Sequence, residues 1–328
     1  MYSHFYKRSE YLDLIKCIPL DTADYVFAYG SGAISQGDTN MHDKMVDFIV
    51  VTNDPLKFHM DNIGQNPGHY SFLRKFGPVC ITKLQTRFCA RVYYNTNIQS
   101  GNRFIKYGVI STDNLLQDLY DWNWLYVAGR MQKPVLSVLQ PTEKIKEAAQ
   151  INRISALQFA LLMVGDTFTY EDLFKQIVGI SYNGDFRQKF GEDKNKIDKI
   201  VRGSYDKLVE IYKPLLEDDA RVTVLPKKIE QDNTTQAIFH RINLLPSAIL
   251  NNVQELWKKR YRERKDLEET LFSLAHRPDF DTIISKMAYS IVSKSSRNQT
   301  VKNMASAGFI KSVVYGSSKI LKMFRSIR

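Results

Sequence analysis

The chain has 328 residues, 44% of them hydrophobic and 12% aromatic, which excludes a disordered protein and suffices for two domains. Its net charge of +11 is concentrated at one end: residues 257–328 hold 16 Lys/Arg and 6 Asp/Glu, whereas residues 1–256 hold 30 and 29. The C-terminal quarter is therefore the part suited to an anionic surface, and no apolar stretch approaches the length of roughly 18 residues that a membrane span needs.

In chain order, residues 9–18 read as a short opening helix before Pro19. An apolar strand at 25–29 runs into the turn Gly30-Ser31-Gly32. A polar loop at 37–43 follows, then a second apolar strand at 45–51 with Asp47 inside it. Alternation places Met45, Asp47, Ile49 and Val51 on one face and Val46, Phe48 and Val50 on the other. A polar segment from Phe58 leads to a helix at 70–76. Strands are expected at 79–82, 90–94 and 104–110, and a helix at 114–131. Residues 1–140 thus read as an α+β unit, a nucleotidyltransferase-like mixed sheet with helices packed on it.

Residues 141–256 read as α-rich. Helices are expected at 143–164, 170–178 and 194–216, a strand at 221–225, and helix again over 236–256 with a break at Pro246. Residues 257–328 open on the basic run Trp257 to Lys265 and end in an amphipathic helix. At 100° per residue Phe309, Val313, Ile320 and Phe324 fall within about 60° of one another. Ile310, Val314 and Leu321 widen that face, and Lys311, Lys319, Lys322 and Arg325 lie opposite. Such a helix suits an anionic lipid interface, or docks its apolar side on the body. Cys17, Cys80 and Cys89 are odd in number and lack paired ligand spacing, which points to a reducing compartment and no zinc site. Met1 to Arg8 show no clear signal or transit pattern.

The candidate chemistry gathers around Gly30-Ser31-Gly32. Glycine permits close approach, and backbone N–H groups with a hydroxyl can hold phosphate oxygens, although a plain strand-to-helix turn has the same composition. Asp47 is an acid within an apolar strand, costly to bury unless it meets a cation, so it reads as an Mg²⁺ ligand or as the partner of a lysine. Nucleotidyltransferase sites commonly carry a second carboxylate two residues away. Here that position is Met45, so a second ligand must come from elsewhere, with Asp113 and Asp118 both open. Lys106, Arg130 and Lys133 suit neutralisation of a triphosphate. Asn62, His69, Tyr70 and Ser71 read equally as a base or ribose contact and as a satisfied polar loop. Asp185 and Arg187, in a glycine turn, suit a link between domains or a second substrate.

Several stretches resemble the mitochondrial translocator assembly and maintenance family, whose members are phosphatidate cytidylyltransferases. They are Tyr29-Gly30-Ser31-Gly32, Met45-Val46-Asp47-Phe48-Ile49, His69-Tyr70-Ser71, Val92-Tyr93-Tyr94-Asn95 and Lys106-Tyr107-Gly108-Val109-Ile110-Ser111. Further on come Ala128-Gly129-Arg130 with Lys133-Pro134-Val135, Ser181 to Arg187 with Gly191 to Lys194, and Asp266 to Phe272. The resemblance covers nearly the whole chain. It implies a nucleotidyltransferase domain at 1–140, a winged-helix-like domain at 141–256 and a membrane-associating region at 257–328. It also implies the reaction of CTP with phosphatidic acid to give CDP-diacylglycerol and pyrophosphate, on the matrix face of the mitochondrial inner membrane and feeding cardiolipin synthesis.

On this reading Gly30, Ser31, Gly32 and Lys133 bind CTP, and Asp47 holds Mg²⁺. Lys106 and Arg130 act with Asp47 at the reacting phosphate, and Arg187 takes the phosphatidate headgroup. Phe309, Ile310, Val313, Lys319, Ile320, Lys322 and Phe324 meet the membrane. No nucleic acid partner is expected. Two other readings stand beside it: an RNA-directed nucleotidyltransferase with the basic tail as a clamp, and a non-enzymatic membrane-surface scaffold.

Overall fold

The computed structural model describes residues 2–34, 44–185, 195–261 and 265–307. The first half runs α1 (Tyr2–Ile15), β1 (Ala23–Tyr29), β2 (Val46–Thr52), α2 (Pro55–Gln65), α3 (Gly77–Arg87), β3 (Tyr93–Ser100), β4 (Arg103–Ser111), α4 (Thr112–Asp121), α5 (Ala128–Met131) and β5 (Leu136–Leu139). The second half runs α6 (Glu143–Leu161), β6 (Thr167–Phe168), α7 (Tyr170–Ile180), α8 (Lys196–Glu217), β7 (Val222–Val224), β8 (Ile229–Gln231), α9 (Thr235–Asn243), α10 (Ser247–Tyr261), α11 (Leu267–Ala275) and α12 (Phe280–Ala307).

Five strands form a mixed sheet in the order β3-β4-β2-β1-β5, with β2 and β4 parallel and the other neighbours antiparallel. A small antiparallel sheet, β6-β8-β7, belongs to the helical second half. Period-two alternation sorts the large sheet into two faces. Val26, Ala28, Val46, Phe48, Val50, Tyr107 and Val109 pack with Tyr11, Ile15 and Phe58 under α1 and α2. Phe27, Ile49, Val51, Val92, Tyr94 and Ile110 join a larger core. That core continues through Leu115, Leu157, Phe174, Leu208 and Ile249 to Ile284 and Val292 of α12, so one apolar interior links the sheet to the last described helix.

The α+β expectation holds, and five local expectations do not. Residues 79–82 are helical, within α3, because a helix buries Ile81 and Gln85 four residues apart, with Ile81 against Tyr70 and Tyr93. The strand expected at 90–94 begins only at Tyr93, since Cys89 and Arg91 take positive φ angles of 57° and 60° that no ladder accommodates. The helix expected over 114–131 stops at Asp121, where Trp122 turns left-handed at φ 56°, and resumes as the short α5. The polar segment after Phe58 belongs to α2, opened by Pro55 and by Asp54, whose side chain accepts from the Lys57 N–H. The helix expected at 70–76 is a 3-10 turn over 72–76.

Candidate active site

Register assembles the first part of the site. Tyr29 of β1 lies opposite Asp47 of β2, and Asp47 lies opposite Lys106 of β4. The three side chains therefore share one row on one face of the sheet. Lys106 Nζ is 3.3 Å from Asp47 Oδ1 and 4.5 Å from the centre of the Tyr94 ring on β3. Tyr94 lies flat over β4 because its ladder partner is Gly108; a Cβ there would sit 2.5 Å from the ring. Glycine inside this strand makes the room that the tyrosine fills.

The turn after β1 brings the backbone in. Gly30 has φ +73°, a value that favours glycine, and a Cβ on it would be 3.8 Å from Asp47 Oδ2, so the turn runs beside the carboxylate. The Gly30 carbonyl accepts from the N–H groups of Ala33 and Ile34. Gly32 comes so close to β2 that a Cβ would be 2.5 Å from the Met45 carbonyl. Tyr11 Oη donates to the Gly32 carbonyl at 2.6 Å, which pins the turn from behind.

Asp118 brings in the remaining cations. Its two carboxylate oxygens accept from the N–H groups of Trp124, Leu125, Tyr126, Val127 and Ala128, at 2.7 to 3.1 Å. Burial pushes this carboxyl up against the pull of those bonds. One buried carboxylate thus shapes the loop that delivers Tyr126 and starts α5. Asn152 of α6 supports the same segment, accepting from Trp122 Nε1 at 2.8 Å and donating to the Ala128 carbonyl at 3.0 Å. Arg130 then places its guanidinium 4.0 Å from the Tyr126 ring and 5.2 Å from the Tyr29 ring, with Nη1 donating to the Tyr126 carbonyl. Burial and the neighbouring Asp47 charge push the Tyr29 hydroxyl up to about 12. Tyr29 is the bridge between the acid and the arginine.

Lys133 continues the series. Its ammonium donates to the Gly129 carbonyl and to Ser181 Oγ at 2.8 Å, and it lies 5.2 Å from the Tyr182 ring. Gly129 allows this approach: a Cβ there would meet Ser181 Cβ at 2.3 Å. The turn after α7, in the helical half, therefore closes on α5 and completes a run of cations between tyrosine rings. Burial first, and Arg130 second, bring the Lys133 amine down to about 7. An incoming polyanion favours the charged amine and draws a proton onto it. Nucleotide binding is thus expected to take up about half a proton at pH 7, and more as the pH rises toward 8. The apparent affinity should fall above pH 7 by at most about tenfold per unit. Calorimetry in buffers of different ionisation enthalpy measures the uptake, and Lys133→Met should remove it.

Asp47 fits a divalent cation. Its Oδ1 is buried without a hydrogen-bond partner, since Lys106 stands near but is not aimed for one, and carboxylate oxygen is the donor Mg²⁺ prefers. Among the described residues no three His, Cys, Asp or Glu side chains converge, so substrate oxygens and water would complete the ligand set. Asp118 is not available for that purpose, its oxygens being taken by the backbone. Asp113 sits in the first turn of α4, beyond Ser111, which pairs with Thr52. That is five residues along β2 from Asp47, about 17 Å.

Of the sequence-derived residues, the structure brings together Gly30, Ser31, Gly32, Asp47, Lys106, Arg130 and Lys133. Tyr29, Tyr94, Tyr126 and Ser181 were missed as site residues. Gly108 within a strand was the available signal for Tyr94. The cluster of Asn62, His69 and Tyr70 hydrogen-bonds within itself. His59 Nδ1 is 2.8 Å from Tyr70 Oη and its Nε2 is 2.6 Å from Gln85 Oε1, while Asn62 Nδ2 donates to both Tyr70 and Tyr107. Tyr107 points to the sheet face opposite Lys106, so this network lies away from Asp47. Burial takes the His59 imidazole down to about 4, leaving it neutral. Arg187, Phe309, Ile310, Val313, Lys319, Ile320, Lys322 and Phe324 lie outside the described residues.

A separate cleft of about 790 Å³, between the β5 edge and helices α6 and α8, is lined by Arg8, Lys146, Arg153 and Lys207 among others and contains neither Asp47 nor Lys106. The row beside the glycine turn is where carboxylate and cations meet. Chemically, such a row can take a polyphosphate, with an acid able to meet a divalent cation and basic groups able to meet phosphate oxygens. The sequence profile described as "Phosphatidate cytidylyltransferase, mitochondrial" matches residues 12–322. Proteins with that name are similar along most of their length. The one from Caenorhabditis briggsae is 51% identical over 318 residues, 97% of this chain and 99% of the relative. The one from Xenopus laevis is 40% identical over 308 residues, 92% and 91% of the two chains, and that from Danio rerio 38% over 330, 99% and 96%. The chain belongs to the mitochondrial phosphatidate cytidylyltransferase family.

Proposed function

We propose that this chain transfers CMP from CTP to phosphatidate, giving CDP-diacylglycerol and pyrophosphate. The carrying observation is the Tyr29–Asp47–Lys106 row with Arg130 and Lys133 beside it, in a member of this family. In the reaction a phosphatidate oxygen forms a bond to the α-phosphorus of CTP. The bond from that phosphorus to the bridging oxygen breaks, and its electron pair leaves with pyrophosphate. The attacking phosphate is already ionised near pH 7, so positioning and charge neutralisation supply the rate. Gly30, Ser31 and Gly32 carry the backbone donors for the triphosphate. Lys106 and Arg130 neutralise charge at the reacting phosphate, and Lys133 does so beside the Ser181 turn. Asp47 would hold Mg²⁺, which when bound supplies charge neutralisation on the triphosphate oxygens. Phe104, two residues before Lys106 on the same face, is exposed and gives the rim an apolar group beside the lysine.

The mixed sheet is read as nucleotidyltransferase-like, and helices α6 to α8 with the β6-β8-β7 sheet as winged-helix-like. Among the described residues no helix is long and apolar enough to cross a membrane. That is compatible with a peripheral enzyme on the matrix face of the inner membrane, serving cardiolipin synthesis, with Arg187 at the headgroup and the basic tail at the lipid. The test is radiolabelled CTP incubated with phosphatidate liposomes or with RNA. The expected result is label in a chloroform-soluble product with liposomes and none in RNA. Labelled RNA, or no labelled product of either kind, would sink the proposal.

A further inference from the structure

Between Asp61 and Asp113 the chain carries seven Lys/Arg and neither Asp nor Glu. The fold gathers part of that charge around exposed aromatic groups. Helix α3 turns Ile81 and Gln85 inward. At 100° per residue the opposite side of the helix carries Val79, Lys83 and Arg87. Just before it, the 72–76 turn holds the rings of Phe72 and Phe76 edge to face with centroids 6.4 Å apart, and Arg74 and Lys75 lie between them in sequence. Phe72, Phe76 and Val79 are 56%, 63% and 52% exposed. Arg74, Lys75, Lys83 and Arg87 are exposed with them. Single exposed apolar side chains are ordinary on a protein surface, whereas a contiguous set ringed by cations is not.

A second observation concerns α12. Lys302 Nζ donates to the carbonyls of Leu84 and Phe88, the Gln299 amide accepts from Ala90 N–H and donates to the Val92 carbonyl, and Cys89 Sγ donates to the Asn298 carbonyl. The last helix is thus fastened to the α3–β3 junction. The sequence that follows it, residues 308–328, carries five Lys/Arg and neither Asp nor Glu.

From these two observations we infer that the Phe72–Phe76–Val79 surface, with Arg74, Lys75, Lys83 and Arg87, docks on an anionic lipid bilayer, the rings entering the interface and the cations meeting the headgroups. The absence of acidic residues over this stretch matches a negatively charged surface and disfavours a protein partner of mixed charge. Edge strand β3 then stands between membrane and site. Tyr93 packs against Ile81 behind the patch, and Tyr94, its neighbour on the strand, faces Lys106. The inference goes beyond the proposed reaction, since it concerns binding that needs no turnover.

The test uses the full chain with Phe76→Trp, mixed with vesicles of phosphatidylcholine alone or with phosphatidylglycerol added, the acyl chains brominated. Blue-shifted and quenched emission is expected with the anionic vesicles only. Phe72→Ser combined with Phe76→Ser should lower partition to those vesicles by about 10- to 100-fold, and Lys75→Glu with Lys83→Glu by about tenfold or more. Thermal melting should be unchanged in both. Unquenched emission in anionic vesicles overturns the inference. So does a blue shift without lipid: one that grows with protein concentration assigns the surface to a second copy, and one that does not assigns it to the chain's own tail. If partition falls as expected while no variant or parent makes lipid product, the proposed reaction fails and the docking surface stands.

Discussion

Asp47→Ala is expected to lower CDP-diacylglycerol formation by about a thousandfold or more while leaving the fold intact. The carboxylate lies within β2, but its contribution to the sheet is backbone pairing with Tyr29 and Lys106, which alanine preserves. The side chain makes no hydrogen bond through Oδ1, and its neighbours Val46 and Phe48 fill the opposite face unaided. Removal therefore costs little packing, and stability should change by no more than about 1 kcal/mol. The loss falls on the charge that, in the proposed function, would hold a divalent cation beside the glycine turn. Asp47→Asn keeps the shape and removes the charge, so it should be nearly as impaired. Thin-layer separation of labelled lipid measures the activity, and calorimetry measures nucleotide binding with and without Mg²⁺. Near-parental turnover by the alanine variant in Mg²⁺ would remove Asp47 from the site.

Asp118→Ala should act by the opposite route, through stability. Five backbone N–H groups, from Trp124 to Ala128, depend on that one side chain. The residue is fully enclosed, so alanine leaves donors that water reaches only if the loop opens. A loss on the order of 4 kcal/mol is expected from denaturant titration, with activity falling alongside because the loop positions Tyr126 and Arg130. Asp118→Asn should fall between, since one oxygen remains an acceptor and the amide nitrogen faces donors. If the alanine variant unfolds at the parental denaturant concentration, the loop is held by something other than this carboxylate.

The contrast between these two aspartates marks what local sequence conveys. Both lie among apolar residues, and both are natural candidates for a metal. Strand alternation sufficed to put Asp47 on its face of the sheet, with Ile49 and Val51. Asp118 reads the same way locally, yet its partners arise from a left-handed Trp122 and a loop that closes over its own helix. Residues 79–82 teach a similar point. Their β-branched character suits a strand, and a helix forms because Ile81 and Gln85 then reach Tyr70, Tyr93 and His59. Whole-region averages mislead as well: residues 1–256 are nearly neutral, which hides a stretch from 62 to 112 without a single acid.

By itself the sequence determined the α+β class and the two strands flanking Gly30-Ser31-Gly32, and it singled out Asp47, Lys106, Arg130 and Lys133 as candidates. These depend on period, turn chemistry and residue type, all of which are local. The tertiary structure alone decided which groups face one another. Strand order sets Tyr29, Asp47 and Lys106 in a row, Gly108 admits Tyr94, and the Asp118 loop swings Arg130 onto two tyrosine rings. Those juxtapositions come from hydrogen bonds and packing between residues many positions apart, and no local pattern carries them.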